Sequence, residues 1–156
     1  MSEYDLVITG GKVVSPSGTV QADVAAKDGR VAAIGEPGAF TSAARTIDAD
    51  GLHVLPGIMD LGIETLNRED ASVSFLDYHH PIQVGADADF ALVDLDAERV
   101  VTPEYMRSGA DWDLCDGWNL KGWPTHTIVR GEVVMERGEI VGSPEHGEYM
   151  PRPPLT

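Results

Sequence analysis

Several groups of residues in this sequence have types and spacings that could do chemistry. Asp77, His79 and His80 fall within four positions, and Asp-x-His or His-x-His pairs can chelate a divalent ion. Neighbouring histidines on a strand point to opposite faces, however, and Pro81 favours a loop, so a solvated polar loop is the stronger reading. Asp87 and Asp89 have the form of a paired-carboxylate acid/base site. Turn aspartates commonly accept backbone N–H bonds locally, and that reading is preferred. Cys115 is the lone cysteine; it rules out an intrachain disulfide and, without other soft ligands nearby, reads as a small core residue. His126 alternates with β-branched residues and reads as a strand histidine satisfied by its neighbours. Trp112, Trp118 and Trp123 crowd one segment. They could form a stacking platform for sugars or bases, but filling a core or an interface is the plainer role.

The elements that must position these residues are short strands. Tyr4–Thr9, ending at Gly10-Gly11, and Lys12–Ser15 read as a hairpin. Asp28-Gly29 between two apolar runs predicts a second, because a type I′ turn requires positive φ at both central positions. Residues 36–44 form a loop. Thr46–Ala49 and Leu52–Leu55 add two strands about a turn at Asp50-Gly51. Strands are also predicted at Phe90–Leu95 and Glu98–Val101. Thr102-Pro103-Glu104 offers an N-cap, a proline at the first helical position and an early acid, predicting a short helix through about Arg107. A meander over Thr125–Arg130, Glu132–Met135 and Glu139–Val141, turning at Gly131 and at Glu136–Gly138, closes the sequence pattern. Strands this short and this regularly punctuated predict an all-β chain, an antiparallel sandwich or open barrel.

The chain has 156 residues, 26 of them acidic and 11 basic, for a formal charge of -15. Phosphate backbones would be repelled, so nucleic acid is not an expected partner. The acids are spread along the chain and read as a solvated face. No apolar run approaches the ~18 residues of a membrane span, and Met1–Asp5 lacks the basic and apolar segments of a signal peptide. A soluble, cytoplasmic protein is expected.

The succession "YDLVITGGKVV", "DGRVAAIG", "IDADGLHVLPGIMD", "GADADFALVDLD" and "TIVRGEVVMERGEIVG" resembles the cyclic amidohydrolases of the hydantoinase, dihydropyrimidinase and allantoinase group. The resemblance covers most of the chain outside about residues 61–82. It implies a β-sandwich assembled from both ends of the chain around an inserted (β/α)₈ barrel that holds a divalent metal, usually zinc, and hydrolyses C–N bonds of cyclic amides. The family carries Pro-Gly-x-x-Asp-x-His-x-His at the crossing into the barrel. Here Pro56, Gly57 and Asp60 match, while Gly62 and Glu64 stand at the histidine positions. Glycine offers no ligand, and one glutamate does not replace two imidazoles in a binuclear site. A barrel needs ~250 residues, far more than separate Asp60 from Gln83.

The expected organisation is therefore one β-sandwich domain: an N-terminal half over 1–60, a connector over 61–82, a C-terminal half over 83–141 and an irregular tail over 142–156. Within the connector, a short helix around Glu64–Glu69 and an extended Val73–Leu76 are predicted. No catalytic, cofactor-binding or metal residue is assigned and no cofactor is expected. The expected function is a non-catalytic scaffold or interaction module. The alternative is a component that becomes an active amidohydrolase with a separate barrel chain, or new metal chemistry in the connector. Homo-oligomer formation through the surface left by the missing barrel and the segment of Trp112, Trp118 and Trp123 is the expected partnership.

Overall fold

Tyr4–Ser15 carries two apolar runs, Leu6–Ile8 and Val13-Val14, on either side of Gly10-Gly11, and in the computed structural model, which describes residues 2–57, 81–106 and 111–148, it is one continuous strand, β1. The expected hairpin at Gly10-Gly11 is not formed. Gly10 adopts φ 67° and the pairing register shifts between Ile8 and Gly11, so the glycines bend a strand that then continues. A Cβ at Gly11 would lie 2.5 Å from Val54 Cγ2 and 3.2 Å from the Ala49 methyl. The pair is there for close approach across the sheet rather than for reversal.

β1 turns at Pro16-Ser17 into β2 (Gly18–Lys27), and β2 turns at Asp28-Gly29 into β3 (Arg30–Gly35). Asp28 and Gly29 have φ 50° and 77°, as the sequence predicts for this turn. β4 (Ala43–Asp48) and β5 (His53–Pro56) both lie parallel to β1, β4 along its first half and β5 at Lys12 and Val13. After residues 58–80 come β6 (Phe90–Val100), the single helical turn α1 (Pro103–Met106), β7 (Asn119–Val129), β8 (Glu132–Glu136) and β9 (Glu139–Ile140). Thr102 Oγ1 accepts the Tyr105 N–H at 3.3 Å, the expected N-cap. The two strands expected between Phe90 and Val101 are one, interrupted by irregular pairing between Asp94 and Glu98. The predicted helix and extended run within residues 64–76 lie outside the described residues.

The strand order is β3-β2-β1-β5-β6-β7-β8-β9, with β4 paired to β1 as well. The chain is all-β with one short helix among the described residues, and its sheet is mixed: antiparallel except for the two pairings of β4 and β5 with β1. Leu6 and Ile8 of β1, Val24 of β2, Val54 of β5, Phe90 and Leu92 of β6, Ile128 of β7 and Val133 of β8 share one core. Both halves thus bury their inner faces against each other. Each such side chain contributes about 1.5–3 kcal/mol by leaving water. Asp23, on β2 among these apolar residues, is fully buried; its carboxylate accepts the N–H of Gly10 and of Gly38, each at 2.8 Å. It holds the bend of β1 and the loop after β3 in place. Among the described residues no helix is long and apolar enough to cross a membrane.

Candidate functional site

The seam between the halves is the pairing of β5 with β6, where Pro56 faces Phe90 and Val54 faces Leu92. One residue further, the Gly57 N–H donates to the Asp89 carbonyl at 2.9 Å, so the chain leaves the sheet before residue 58 beside the point at which it has rejoined it. A Cβ at Gly57 would stand 2.7 Å from that of Asp89, which explains the glycine after Pro56. Asp89 also accepts the Arg130 N–H at 2.7 Å, while Asp87 pairs with Arg30 at 3.3 Å. The two aspartates therefore act as backbone and charge anchors, as expected of turn carboxylates, although the partners are distant in sequence rather than local. Asp60, Gly62, Glu64, Asp77, His79 and His80 lie outside the described residues.

His126 is buried on β7, its Nδ1 3.0 Å from Thr125 Oγ1 and its Nε2 3.6 Å from Glu136. Burial pushes its pKa below the usual imidazole value, with Glu136 acting in the opposite direction. Glu136 in turn accepts Arg45 of β4 at 2.8 Å, joining the two halves on the outside. His126 is thus a strand histidine with partners, in agreement with the sequence reading. His53 buries an Nδ1 that has no hydrogen-bond partner among the described residues. His146 packs by Nε2 on the Val129 carbonyl at 2.8 Å and by Nδ1 on Glu132 at 3.2 Å. Arg130 binds the His146 carbonyl and the Glu148 carboxylate, so the chain after Gly142 is tied back onto the sheet. Among the described residues no three His, Cys, Asp or Glu side chains are grouped to hold a metal ion.

The three tryptophans separate. Trp123 is 7% exposed, meets Tyr105 edge-on with ring centroids 5.1 Å apart, and donates its indole N–H to the Leu120 carbonyl at 2.8 Å. Trp112 and Trp118 are 67% and 58% exposed. Beside Trp123 lies a pocket of about 410 Å³, walled by Val101, Tyr105 and Met106 near α1, Trp123 of β7, Met135 of β8 and Ile140 of β9, with Asp113 and Cys115 on the adjoining loop. Cys115 is partly buried here rather than in the core. Sequence reading did not assemble this pocket, because its walls come from four elements and only the tryptophan cluster signalled it.

No family model matches the chain. It is 33% identical over 120 residues to the dihydroorotase of Pyrococcus furiosus, covering 76% of this chain and 28% of that protein. It is 37% identical over 71 residues to the D-hydantoinase of Ralstonia pickettii, covering 46% of this chain and 16% of that one. A solved D-hydantoinase chain superposes with a TM-score of 0.76 over 94% of this chain and 98% of that chain, at 12% identity, which shows a common fold. The chain belongs to the cyclic amidohydrolase superfamily. It spans under a third of the length of either of these relatives. The sheet of this amidohydrolase-related chain is continuous across the point where β5 meets β6, and Pro56-Gly57 stands at that seam.

Proposed function

We propose that this chain is a non-catalytic β-module of cyclic amidohydrolase descent, a scaffold or interaction unit working in the cytoplasm. The observation that carries the proposal is the hydrogen bond between Gly57 and Asp89. It closes the sheet directly across the point of entry, and residues 58–80 are too few for a barrel of ~250 residues between the halves. The sequence of that segment offers Gly62 and Glu64 where the resemblance calls for histidines. Incubating the purified chain with hydantoin, dihydrouracil, dihydroorotate and allantoin, with elemental analysis of the same sample, tests the proposal. Neither ring opening nor stoichiometric divalent metal is expected; turnover together with bound metal would overturn it.

The module associates with itself through Trp112 and Trp118, whose exposure is unusual for large aromatic side chains on a soluble surface. Trp123 takes no part, being buried. Light scattering across a concentration series should show a rising mass that Trp112→Ser with Trp118→Ser abolishes; a strict monomer at high concentration would refute this surface.

A further inference from the structure

We propose that two copies of this chain join reciprocally, Leu114 of each seating in the pocket beside Trp123 of the other. The inference rests on the self-association proposed above and names the geometry of that contact. Leu114 is 85% exposed, the most exposed large apolar side chain among the described residues, so it leaves the pocket of its own chain unfilled. It stands on a turn held in shape by three hydrogen bonds: Asp113 accepts the Cys115 N–H on its carboxylate at 2.8 Å and the Asp116 N–H on its carbonyl at 3.2 Å, and the Cys115 carbonyl accepts the Trp118 N–H at 2.9 Å. A knob fixed before contact loses little freedom on docking. Its neighbours Asp113 and Cys115 both line the pocket, so knob and hole lie side by side on one surface. A two-fold contact requires that adjacency, since one patch must serve both copies and each knob must reach the other's hole.

The hole suits an aliphatic side chain: its volume is about 410 Å³, and Tyr105, Met106, Met135 and Ile140 are among its walls. The surrounding area is what a dimer needs. Trp112 and Trp118, 67% and 58% exposed, together present roughly 300 Å² at about 250 Å² for a tryptophan. Leu114, Met106, Leu120 and Ile140, between 39% and 85% exposed, each add on the order of 100 Å². These residues are contiguous: Met106, Leu120 and Ile140 line the hole, Trp112 and Leu114 flank Asp113, and the Trp118 carbonyl accepts the N–H of Val101 in the wall. The patch of roughly 700 Å² exceeds the about 300–600 Å² that is the largest on a typical monomer. It approaches the ~800 Å² that each partner gives to a standard interface. Charge agrees with this occupant. Asp113 and Asp116 flank the knob, and the Arg99 guanidinium lies over the Tyr105 ring of the hole, 5.2 Å from its centroid, so seating brings acids toward a cation of the other copy.

Analytical ultracentrifugation of the full chain in about 0.15 M salt, where repulsion between two acidic molecules is screened, tests the seating with two variants. Leu114→Ser removes the knob and leaves the hole. Ile140→Glu, on the short edge strand β9, puts a charge at the hole and leaves the knob. Each variant alone loses both seats and should weaken dimerisation about a hundredfold, about tenfold for each leucine no longer buried. An equimolar mixture keeps one seat, the knob of Ile140→Glu in the hole of Leu114→Ser, and should associate about tenfold more tightly than either variant alone. In the parent, mixed labelled and unlabelled copies should give intermolecular nuclear Overhauser effects from the Leu114 methyls to Met135 and Tyr105. A strict monomer would refute self-association itself. A dimer that Leu114→Ser leaves intact, a mixture no tighter than its components, or a dimer without those intermolecular contacts would overturn the reciprocal seating alone. Both substituted side chains are exposed, at 85% and 66%; should either variant fail to fold, the intermolecular contacts in the parent decide.

Discussion

Replacing Asp23 by alanine removes both acceptors that join β1 to the loop after β3. Asp23 is fully buried, and its carboxylate serves the Gly10 and Gly38 N–H groups at 2.8 Å each. The two donors differ in what they can do afterwards. Gly10 sits partly buried in the bend of β1, so leaving its N–H without an acceptor carries a desolvation penalty of about 1–3 kcal/mol. Gly38 is exposed and can bind water instead, leaving only the net worth of one hydrogen bond, about 0.5–1.5 kcal/mol. Relief from burying a carboxylate acts the other way and keeps the sum near the lower half of that range. The expected cost is about 2–3 kcal/mol, a substantial part of the 5–15 kcal/mol typical of a domain. Urea unfolding followed by circular dichroism reads it: with a slope of about 1–3 kcal/mol per molar, the midpoint should fall by about 1 M or more at unchanged slope. Asp23→Asn retains one acceptor but turns an amide donor toward the other N–H, and should lose about half as much or more. An unmoved midpoint in Asp23→Ala, or full stability in Asp23→Asn, would refute the account.

Burial lowers the pKa of His126 in the folded chain, so the unfolded chain binds the proton more readily. Its contribution is present above the ordinary imidazole value near 6.5 and is lost as the pH falls below it. The fall in unfolding free energy between pH 7 and 5 should therefore be shallower in His126→Gln than in the parent, as read by denaturant titrations at each pH. Gly11→Ala should destabilise by about 1–3 kcal/mol, since its Cβ would overlap Val54 and Ala49; thermal unfolding checks it. Arg45→Ala should cost under about 1 kcal/mol, because the pair with Glu136 is partly exposed; a double-mutant cycle with Glu136→Gln measures the coupling. Arg130→Ala should free the segment after Gly142, seen as faster cleavage at Glu145 and Glu148 by a glutamate-specific protease with a nearly unchanged sheet transition.

Where a local rule decides a conformation, the sequence was sufficient. Asp28-Gly29 must turn because two successive positive φ values suit that pair, and Thr102-Pro103-Glu104 must start a helical turn because cap, proline and acid agree. Gly10-Gly11 shows where local rules stop. A glycine pair serves a reversal or a bend equally well, and only Val54 and Ala49, some forty residues away, select the bend. The tryptophans make the same point for the candidate site. Identical side chains within twelve residues end as one pocket wall and two exposed faces, because β7 begins at Asn119, earlier than its β-branched run indicates. Asp23 could have been noticed as a carboxylate inside an apolar strand, but its two N–H partners depend on the bend and the following loop, neither of which is encoded beside it.

The seam explains how family likeness and chemistry can part company. Lengthening the connection across the β5–β6 seam costs only about 0.6 kcal/mol for each doubling of its length. A connection ten times longer would thus cost the sheet about 2 kcal/mol, roughly the burial of one core side chain. The core residues on both sides of the seam, such as Val54 and Phe90, belong to one cluster formed within the sheet itself. Metal-dependent hydrolysis has no such tolerance, because it needs several ligands held in one geometry by the inserted part. The sheet can therefore persist through changes that remove the chemistry. In this chain the contacts of Gly57 and Arg130 with Asp89 hold the two halves together at the seam, and none of them depends on what the connection carries.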